Sequence, residues 1–438
     1  MRVHYHTFGC KANQYDTERM RQEIEARGGG TAESRSDADL FVINTCTVTN
    51  QADAEARRFI RRLQREHPQA EIVVAGCSAA LKADAYREMP GVVAVVPGHD
   101  ASEVGAAVES TGGQGLVQIE LRTPLDRLDN EPIGGELLRR RRGASRGWLK
   151  VQDGCDRKCS FCATRLARGS SRSRSPDEVV AEARLLAEAH AELVITGIHI
   201  GHYGLDLDEA TTLSRLCATL LGALPDTRFR LGSIEATEVD DLLIDLLDES
   251  QGRLAPHLHM PLQSGADPVL RRMRRWHTRE QYRIRALEIA ERIAPLGLGA
   301  DIITGFPGET EADHASTMAL VEELPFTYLH VFPFSPREAT VAAGLSDPVP
   351  QRVAGERARS LRELVQEKGA RYRRERVGGP ARVAVEGDGG TGVTGDYLRV
   401  GVRLTGDGPP TPMLDGTLLG DGDDLYIVAP RKSACIPA

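Results

Sequence analysis

Three cysteines at C-x3-C-x2-C spacing, Cys155, Cys159 and Cys162, constrain this chain more than any other stretch. They lie in Val151-Gln152-Asp153-Gly154-Cys155-Asp156-Arg157-Lys158-Cys159-Ser160-Phe161-Cys162, after a strand-like run from Trp148 to Gln152 and before a basic loop rich in Gly and Ser. Three thiolates on one tight loop can hold three irons of a cubane cluster and leave the fourth iron open to a small-molecule ligand. A zinc site more often shows paired C-x2-C units or a nearby His, and closes all four positions. Zinc remains the alternative on spacing alone.

The 438 residues suggest two or three domains. Hydrophobic residues make up 41%, enough for real cores, and no run approaches the ~20 apolar residues of a membrane span. Met1-Arg2-Val3-His4-Tyr5-His6 lacks the apolar core of a signal peptide. The expectation is a cytoplasmic protein with reduced thiols, whose eight cysteines are metal ligands or core residues rather than disulfides. A net charge of −8 argues against indiscriminate coating of nucleic acid. Positive charge is nonetheless clustered, at Arg139–Arg142, at Arg165, Arg168, Arg172 and Arg174, at Arg271, Arg272, Arg274 and Arg275, and at Arg371, Arg373, Arg374 and Arg376. Such runs either grip a polyanion at one face or are solvated helix faces.

In residues 1–110, strand-like runs alternate with helical ones. Arg2 to Phe8 ends at Gly9-Cys10, Asp39 to Thr45 ends at Cys46, Glu71 to Gly76 ends at Cys77, and Val92 to Gly98 follows. Helical patterns cover about Gln14 to Arg27 and Thr49 to Glu66. This is the pattern of a doubly wound α/β domain with a parallel sheet, whose ligands gather at the carboxyl ends of the strands. Cys10, Cys46 and Cys77 each end a different strand, so parallel neighbours would bring the three sulfurs to one edge. Any one alone reads as a buried core cysteine.

Residues 111–146 read as an extended linker ending in the Arg139–Arg142 strap. Residues 147–375 carry six strand–helix units, short of the eight of a closed barrel. A partial (β/α)6 barrel with an open side is expected, with Ser175 capping the helix from Pro176. Polar residues crowd its strand ends: Thr196, Gly197 and His199; Ser233 and Glu235; His259 and Gln263; Asp301 and Thr304. They would line one cavity and bind a ribose or an ammonium group, or else be satisfied structural polars. The turn Gly305-Phe306-Pro307-Gly308-Glu309-Thr310 looks like one that presents main chain to an adenine, or is only a connection. Residues 376–438 hold short alternating segments with many turns, as in a small antiparallel β-barrel, and are acidic for an RNA-binding module. Cys217 and Cys435 have no partner spacing and read as non-ligands.

The Cys155 motif resembles that of the radical S-adenosylmethionine (SAM) superfamily, and the whole arrangement resembles the methylthiotransferase family. The motifs Thr7-Phe8-Gly9-Cys10-Lys11-Ala12-Asn13-Gln14, Gly197-Ile198-His199-Ile200-Gly201-His202-Tyr203-Gly204, Leu231-Gly232-Ser233-Ile234-Glu235, His257 to Gly265 and His330 to Arg337 are most similar to the branch acting on threonylcarbamoyladenosine in tRNA. The resemblance implies two [4Fe-4S] clusters, on Cys155, Cys159 and Cys162 and on Cys10, Cys46 and Cys77. It also implies SAM bound by Thr196, Gly197, His199, Ser233, Glu235, His259, Gln263, Asp301 and Gly305, and a TRAM-like tail that contacts substrate. The implied reaction is 2-methylthiolation of N6-threonylcarbamoyladenosine at position 37, beside the anticodon. Its partners would be the tRNA anticodon loop, an electron donor such as a flavodoxin or ferredoxin, and a sulfur donor, with no membrane. The chain departs from the pattern at Arg165 and Leu166, where a proline and an aromatic are expected, and at Ala236, where a proline is common.

An adenine C2–H offers no acidic proton, so radical chemistry from a cofactor suits it better than acid–base catalysis. An anticodon-loop base can be splayed out to reach a barrel. The alternatives are a methylthiotransferase for isopentenyladenosine tRNA or a ribosomal protein and, from another class, a non-catalytic metal-binding RNA adaptor.

Overall fold

The computed structural model describes residues 1–47, 50–111, 133, 136–387, 389–405 and 411–430. Most of the linker, Thr49 and Cys435 lie outside them. The first sheet has strands β1 (Arg2–Thr7), β2 (Gly30–Thr31), β3 (Leu40–Thr45), β4 (Glu71–Gly76) and β5 (Val92–Pro97), all parallel, in the order β2-β1-β3-β4-β5. Near-continuous apolar runs such as Leu40–Ile43 and Ile72–Ala75 suit strands buried on both faces. Helices Lys11–Ala26 and Ala101–Ser110 cover one face, and Asn50–Glu66 covers the other. The strands ending at Cys10, Cys46 and Cys77 are adjacent, as the spacing predicted.

The central strands are β6 (Arg146–Lys150), a short ribbon of β7 (Gln152–Asp153) with β8 (Arg172–Ser173), then β9 (Glu192–Thr196), β10 (Arg228–Leu231), β11 (His257–His259), β12 (Gly297–Thr304) and β13 (Tyr328–Pro333). Parallel pairing runs β6-β9-β10 and β11-β12-β13. Bridges Phe229↔Leu254 and Ser233↔His259 join the two halves into one six-stranded partial barrel. Alternation along each strand sends Leu193, Ile195, Phe229, Leu231, Leu258, Ala300 and Ile302 into the layer of core under the helices. The opposite register, with Glu192, Thr196, Arg230, His259 and Asp301, lines a polar interior. Capping boxes at Ser175/Glu178, Thr278/Gln281 and Thr310/Asp313 fix three helix starts, including the one read from sequence at Ser175. The helix Gln351–Arg376 packs along β13, where Arg362 donates to the Val331 carbonyl.

The last sheet, β14 (Pro380–Glu386), β15 (Thr391–Thr394), β16 (Arg399–Thr405), β17 (Met413–Thr417) and β18 (Tyr426–Pro430), has the order β17-β14-β15-β16-β18. The bridge Leu419↔Tyr426 nearly closes it into a barrel. Pairing is antiparallel except between β16 and β18, which run parallel because the chain crosses over through β17.

This small barrel docks on the amino ends of the central strands, the rim opposite Cys155. Arg228 donates to the Val393 carbonyl (3.0 Å), Arg230 to Thr394 and Gly395 (both 2.8 Å), and Arg146 pairs with Glu386 (2.6 Å). Tyr397 stacks on His257 at 4.2 Å. The tail expected to meet substrate therefore sits away from the cysteine-bearing rim. Fully buried Glu192 neutralises the seam, 2.5 Å from Arg228 and 3.0 Å from Arg230. Burial raises the Glu192 pKa, but Arg230 and Arg228 outweigh it and hold it at about 2. Burial pushes Arg228 down to about 10, because its share of one carboxylate does not offset its own desolvation.

A depressed carboxylate pKa contributes stability that is full above the unfolded value and is lost as pH falls through the folded one. For Glu192 that window runs from 4.5 down to about 2, and the contribution is about 3 kcal/mol. In urea melts of the iron-free chain, wild type should weaken across this window while Glu192→Gln is flatter there. At pH 7, Glu192→Gln should cost about 3–5 kcal/mol by leaving two buried guanidiniums uncompensated.

Candidate active site

The loop carrying Cys155, Cys159 and Cys162 leaves the carboxyl end of the β7 ribbon and is tied down on three sides. Gly154 turns it with φ +70°, and a Cβ there would strike the Ser170 carbonyl, so this position demands glycine. Cys155 N donates to the Gly169 carbonyl (3.1 Å), closing the loop base. Ser160 N and Oγ donate to the Met273 and Arg272 carbonyls (2.9 and 2.8 Å). Gln152 braces the inside, donating to the Gly154 carbonyl and accepting from Ile198 N and His199 N. The sulfurs keep a polar margin. Arg275 Nη1 reaches Cys159 Sγ at 3.6 Å, His199 Nδ1 stands 3.7 Å from Cys155 Sγ, and Thr164 N donates to Cys162 Sγ at 3.4 Å. Burial pushes the Cys155 thiol up to about 12. Its thiolate is thus favoured only beside a cation such as a metal.

The second triad gathers at the carboxyl edge of the first sheet. Cys10 caps the helix Lys11–Ala26, Cys46 follows β3, and Cys77 opens the helix Cys77–Leu81. Gly9, at φ +101°, lets the chain pass Cys46, whose Sγ would lie 2.7 Å from an added Cβ. Burial pushes Cys77 up to about 12, and Cys46 and Cys10 lie near enough to add to the shift. Asn13 and His99 flank Cys77 Sγ at 3.6 and 3.7 Å. Three sulfurs sharing one zinc stand about 3.8 Å apart, as 2.3 Å bonds at tetrahedral angles require. Among the described residues, neither triad draws all three sulfurs within 4.8 Å of one another.

One helical turn separates the two triads. Thr164–Arg168 follows Cys162, and Arg168 is buried with 1% exposure. Its guanidinium donates to both Asp153 oxygens (2.9 Å), to Asp16 (2.8 Å) and to Asn13 (2.6 Å), and Cys77 and Cys10 lie nearby. Lys150 Nζ completes the network at 2.6 Å from Asp16 and 2.5 Å from Asp153. A second tie lies on the far side of the sheet edge. Arg337, after β13, pairs with Asp53 (3.0 Å) and donates to Thr47 Oγ1, beside Cys46.

The strand-end residues singled out from the sequence fall on the same rim. His199 pairs with Glu238 (2.9 Å), and Glu235 pairs with Arg275, which links it to Cys159. Burial raises the Glu235 carboxyl. Ser233 is exposed, with Oγ 2.8 Å from His259 Nδ1, and His259 and His330 both flank Asp301 (3.3 and 3.2 Å). Burial pushes Asp301 up, but these two imidazoles outweigh it and hold the carboxyl low. Gln263, at φ +68°, donates its N–H to the Asp301 carbonyl (2.8 Å) and accepts from Ile303 N (2.9 Å) on β12. Thr196 and Gly197 close against Val151 and Gln152. Gly305 departs from expectation. Its N–H donates to Glu309 (2.6 Å) and its Cβ position is filled by Ala354, so this turn is closed by the chain's own groups.

Family models match residues 2–98, as "Uncharacterized protein family UPF0004", and residues 149–321, as "Radical SAM superfamily". The "Threonylcarbamoyladenosine tRNA methylthiotransferase MtaB" of Bacillus subtilis (strain 168) is 37% identical over 85% of this chain and 83% of its own length. The chain belongs to the radical SAM methylthiotransferase family. A second protein of the same name, from Thermotoga maritima, is 34% identical over 88% of this chain and 86% of its own. A "tRNA-2-methylthio-N(6)-dimethylallyladenosine synthase" from Bacillus pumilus is 32% identical over 87% and 75%. As a radical SAM methylthiotransferase the chain uses SAM and a [4Fe-4S] cluster.

Members of two of the basic runs of this methylthiotransferase are spent internally. Arg141 lies over Trp148 at 4.1 Å, Arg142 pairs with Glu25, and Arg275 serves the cysteine loop. Sequence reading missed Asp16, Lys150 and Asp153 as one network, because they come from two separate segments. Arg168→Met should destabilise the chain by about 3–5 kcal/mol in urea melts, since it leaves two buried carboxylates to share Lys150 alone. Arg168→Lys should recover only part, because a single ammonium cannot replace two nitrogens, Nη1 on Asp153 and Nη2 on Asp16 and Asn13. The double variant with Asp16→Asn should cost less than the sum of the singles.

Proposed function

We propose that this methylthiotransferase converts N6-threonylcarbamoyladenosine at position 37 of tRNA to its 2-methylthio derivative. The observation that carries the proposal is the placement of two open cysteine triads on either side of the Thr164–Arg168 turn. Cys155, Cys159 and Cys162 would hold a [4Fe-4S] cluster, and Cys10, Cys46 and Cys77 a second one that handles sulfur. The names of the 37% and 34% identical relatives, threonylcarbamoyladenosine tRNA methylthiotransferases, support the threonylcarbamoyl substrate. The proposed boundaries are 1–110, 111–146, 147–375 and 376–438. Among the described residues no helix is long and apolar enough to cross a membrane, in keeping with work on tRNA in the cytoplasm with outside electron and sulfur donors.

When bound, SAM and its cluster supply a carbon radical able to take hydrogen from an unactivated C–H bond. The chain's own residues bind and orient. Thr196, Gly197, His199, Ser233, Glu235, His259, Gln263 and Asp301 form the proposed SAM rim, with Gly305 shaping its outer turn from behind. Asp301, kept ionised by His259 and His330, would accept from a ribose hydroxyl or an ammonium group. Arg275 ties Glu235 to Cys159, so the carboxylate and the cluster loop keep a fixed spacing. Arg168 locks the second triad to the same rim, so that hydrogen removal and sulfur delivery can address one substrate atom.

Anaerobic reconstitution should give about eight irons per chain, two cubanes' worth. Replacing Cys10, Cys46 and Cys77 by Ala should leave about four and preserve SAM cleavage on reduction while abolishing methylthiolation. Zinc alone, without SAM turnover, would point to the adaptor reading instead. Nucleoside mass spectrometry of tRNA from cells lacking the gene should show threonylcarbamoyladenosine without its methylthio form. Loss of a methylthiolated isopentenyladenosine in its place would sink the substrate assignment.

A further inference from the structure

We propose that a cleft on the outer face of the first sheet docks the RNA backbone beside the modified nucleotide, an inference that rests on RNA being the substrate. The cleft lies between the end of β1 and the helix Asn50–Glu66, holds about 680 Å³, and is lined by His6, Phe8 and Phe59 together with Arg35, Arg58, Arg61, Arg62 and Arg65. Glu55 is the one acid in its wall. On a chain of net charge −8, five arginines against one carboxylate make a local charge of opposite sign. Arg58, Arg61, Arg62 and Arg65 follow helical spacing along one exposed face, a row about 10 Å long. Arg62 reaches Glu66 at 4.0 Å and lies over the Phe59 ring at 5.5 Å, and no carboxylate pairs with Arg58, Arg61 or Arg65 among the described residues.

The floor is aromatic. His6 stacks on Phe59 at 4.0 Å with planes 13° apart, Phe8 meets Phe59 edge-on at 5.7 Å, and Arg35 covers the Phe59 ring at 5.0 Å. Burial and Arg35 push His6 down to about 4, so at neutral pH it offers a flat uncharged ring. Guanidiniums that fork onto phosphates, interleaved with rings on which a base or ribose can rest, are the recognition chemistry of nucleic acid. Position supports the same occupant. Phe8 stands two residues before Cys10, so a strand held along the arginine row leads to the second triad.

The test uses reconstituted holoenzyme and an anticodon stem-loop RNA carrying threonylcarbamoyladenosine. Arg58→Ala/Arg61→Ala/Arg65→Ala keeps a good helix former at each exposed site. It should raise KM about tenfold to a hundredfold at moderate salt, leave kcat nearly unchanged, and flatten the dependence of log KM on log salt by about two to three. RNA-independent SAM cleavage and iron content should stay at wild-type levels. A control triple on the far helix, Arg352→Ala/Arg359→Ala/Arg371→Ala, removes the same charge elsewhere and should change KM little. An unchanged KM and salt slope in the first triple overturns the docking cleft, as does an equal effect of the control. If wild type fails to methylthiolate the stem-loop at all, the substrate reading fails first and the cleft loses its occupant with it.

Discussion

Four charged side chains buried between the first sheet and the barrel hold this protein in its working arrangement. Asp16, Lys150, Asp153 and Arg168 form a closed set of two carboxylates and two cations, with Asn13 as an added acceptor. Such a set need not add net stability over apolar packing, since desolvation of four ions is costly. What it supplies is register. A hydrophobic seam tolerates sliding, whereas a forked guanidinium on fixed carboxylates does not. Because Arg168 ends the turn that follows Cys162, and Asp16 lies on the helix that Cys10 caps, the register it fixes is the one between the two cysteine triads.

The same logic repeats at the opposite rim. Glu192 gathers Arg228 and Arg230, which then donate to main-chain carbonyls of the small barrel. Polar groups at the strand starts thus hold the small barrel, and polar groups at the strand ends gather on the rim of the Cys155 loop. The division follows from parallel topology. All six central strands point the same way, so their carboxyl ends share a rim on which loops of any length can converge. The docking barrel takes the amino ends, leaving that rim to the first sheet.

Much of this was readable from residue order. The three cysteine-terminated strands, the six strand–helix units, the Ser175 cap and the turn-rich tail each carry a local signature of period or capping. The places where reading failed share one cause. Arg141, Arg168 and Arg275 looked like members of basic runs, yet each is spent on a partner far away in the chain: Gln14 on Arg141, Asp16 on Arg168, Glu235 on Arg275. The Arg-rich helix Asn50–Glu66 did not read as a basic run, because helical spacing breaks its arginines up with Phe59, Ile60 and Leu63. Gly305 resembled a ligand-facing turn, and only its neighbours Glu309 and Ala354 reveal that it is closed.

The sequence by itself determined the chemistry available: two sets of three thiols, the strands that end in them, and the parallel class of both α/β sheets. Each of these depends on spacing along the chain, which strand and helix periods translate directly into position. Only the tertiary structure decided which cations are free and which are bound, which rim the tail occupies, and that one guanidinium joins the two triads. Those outcomes depend on contacts between residues more than a hundred positions apart, such as Asn13 with Arg168 and Arg228 with Val393. No local period encodes them, because their energy exists only once desolvated groups meet in the folded chain.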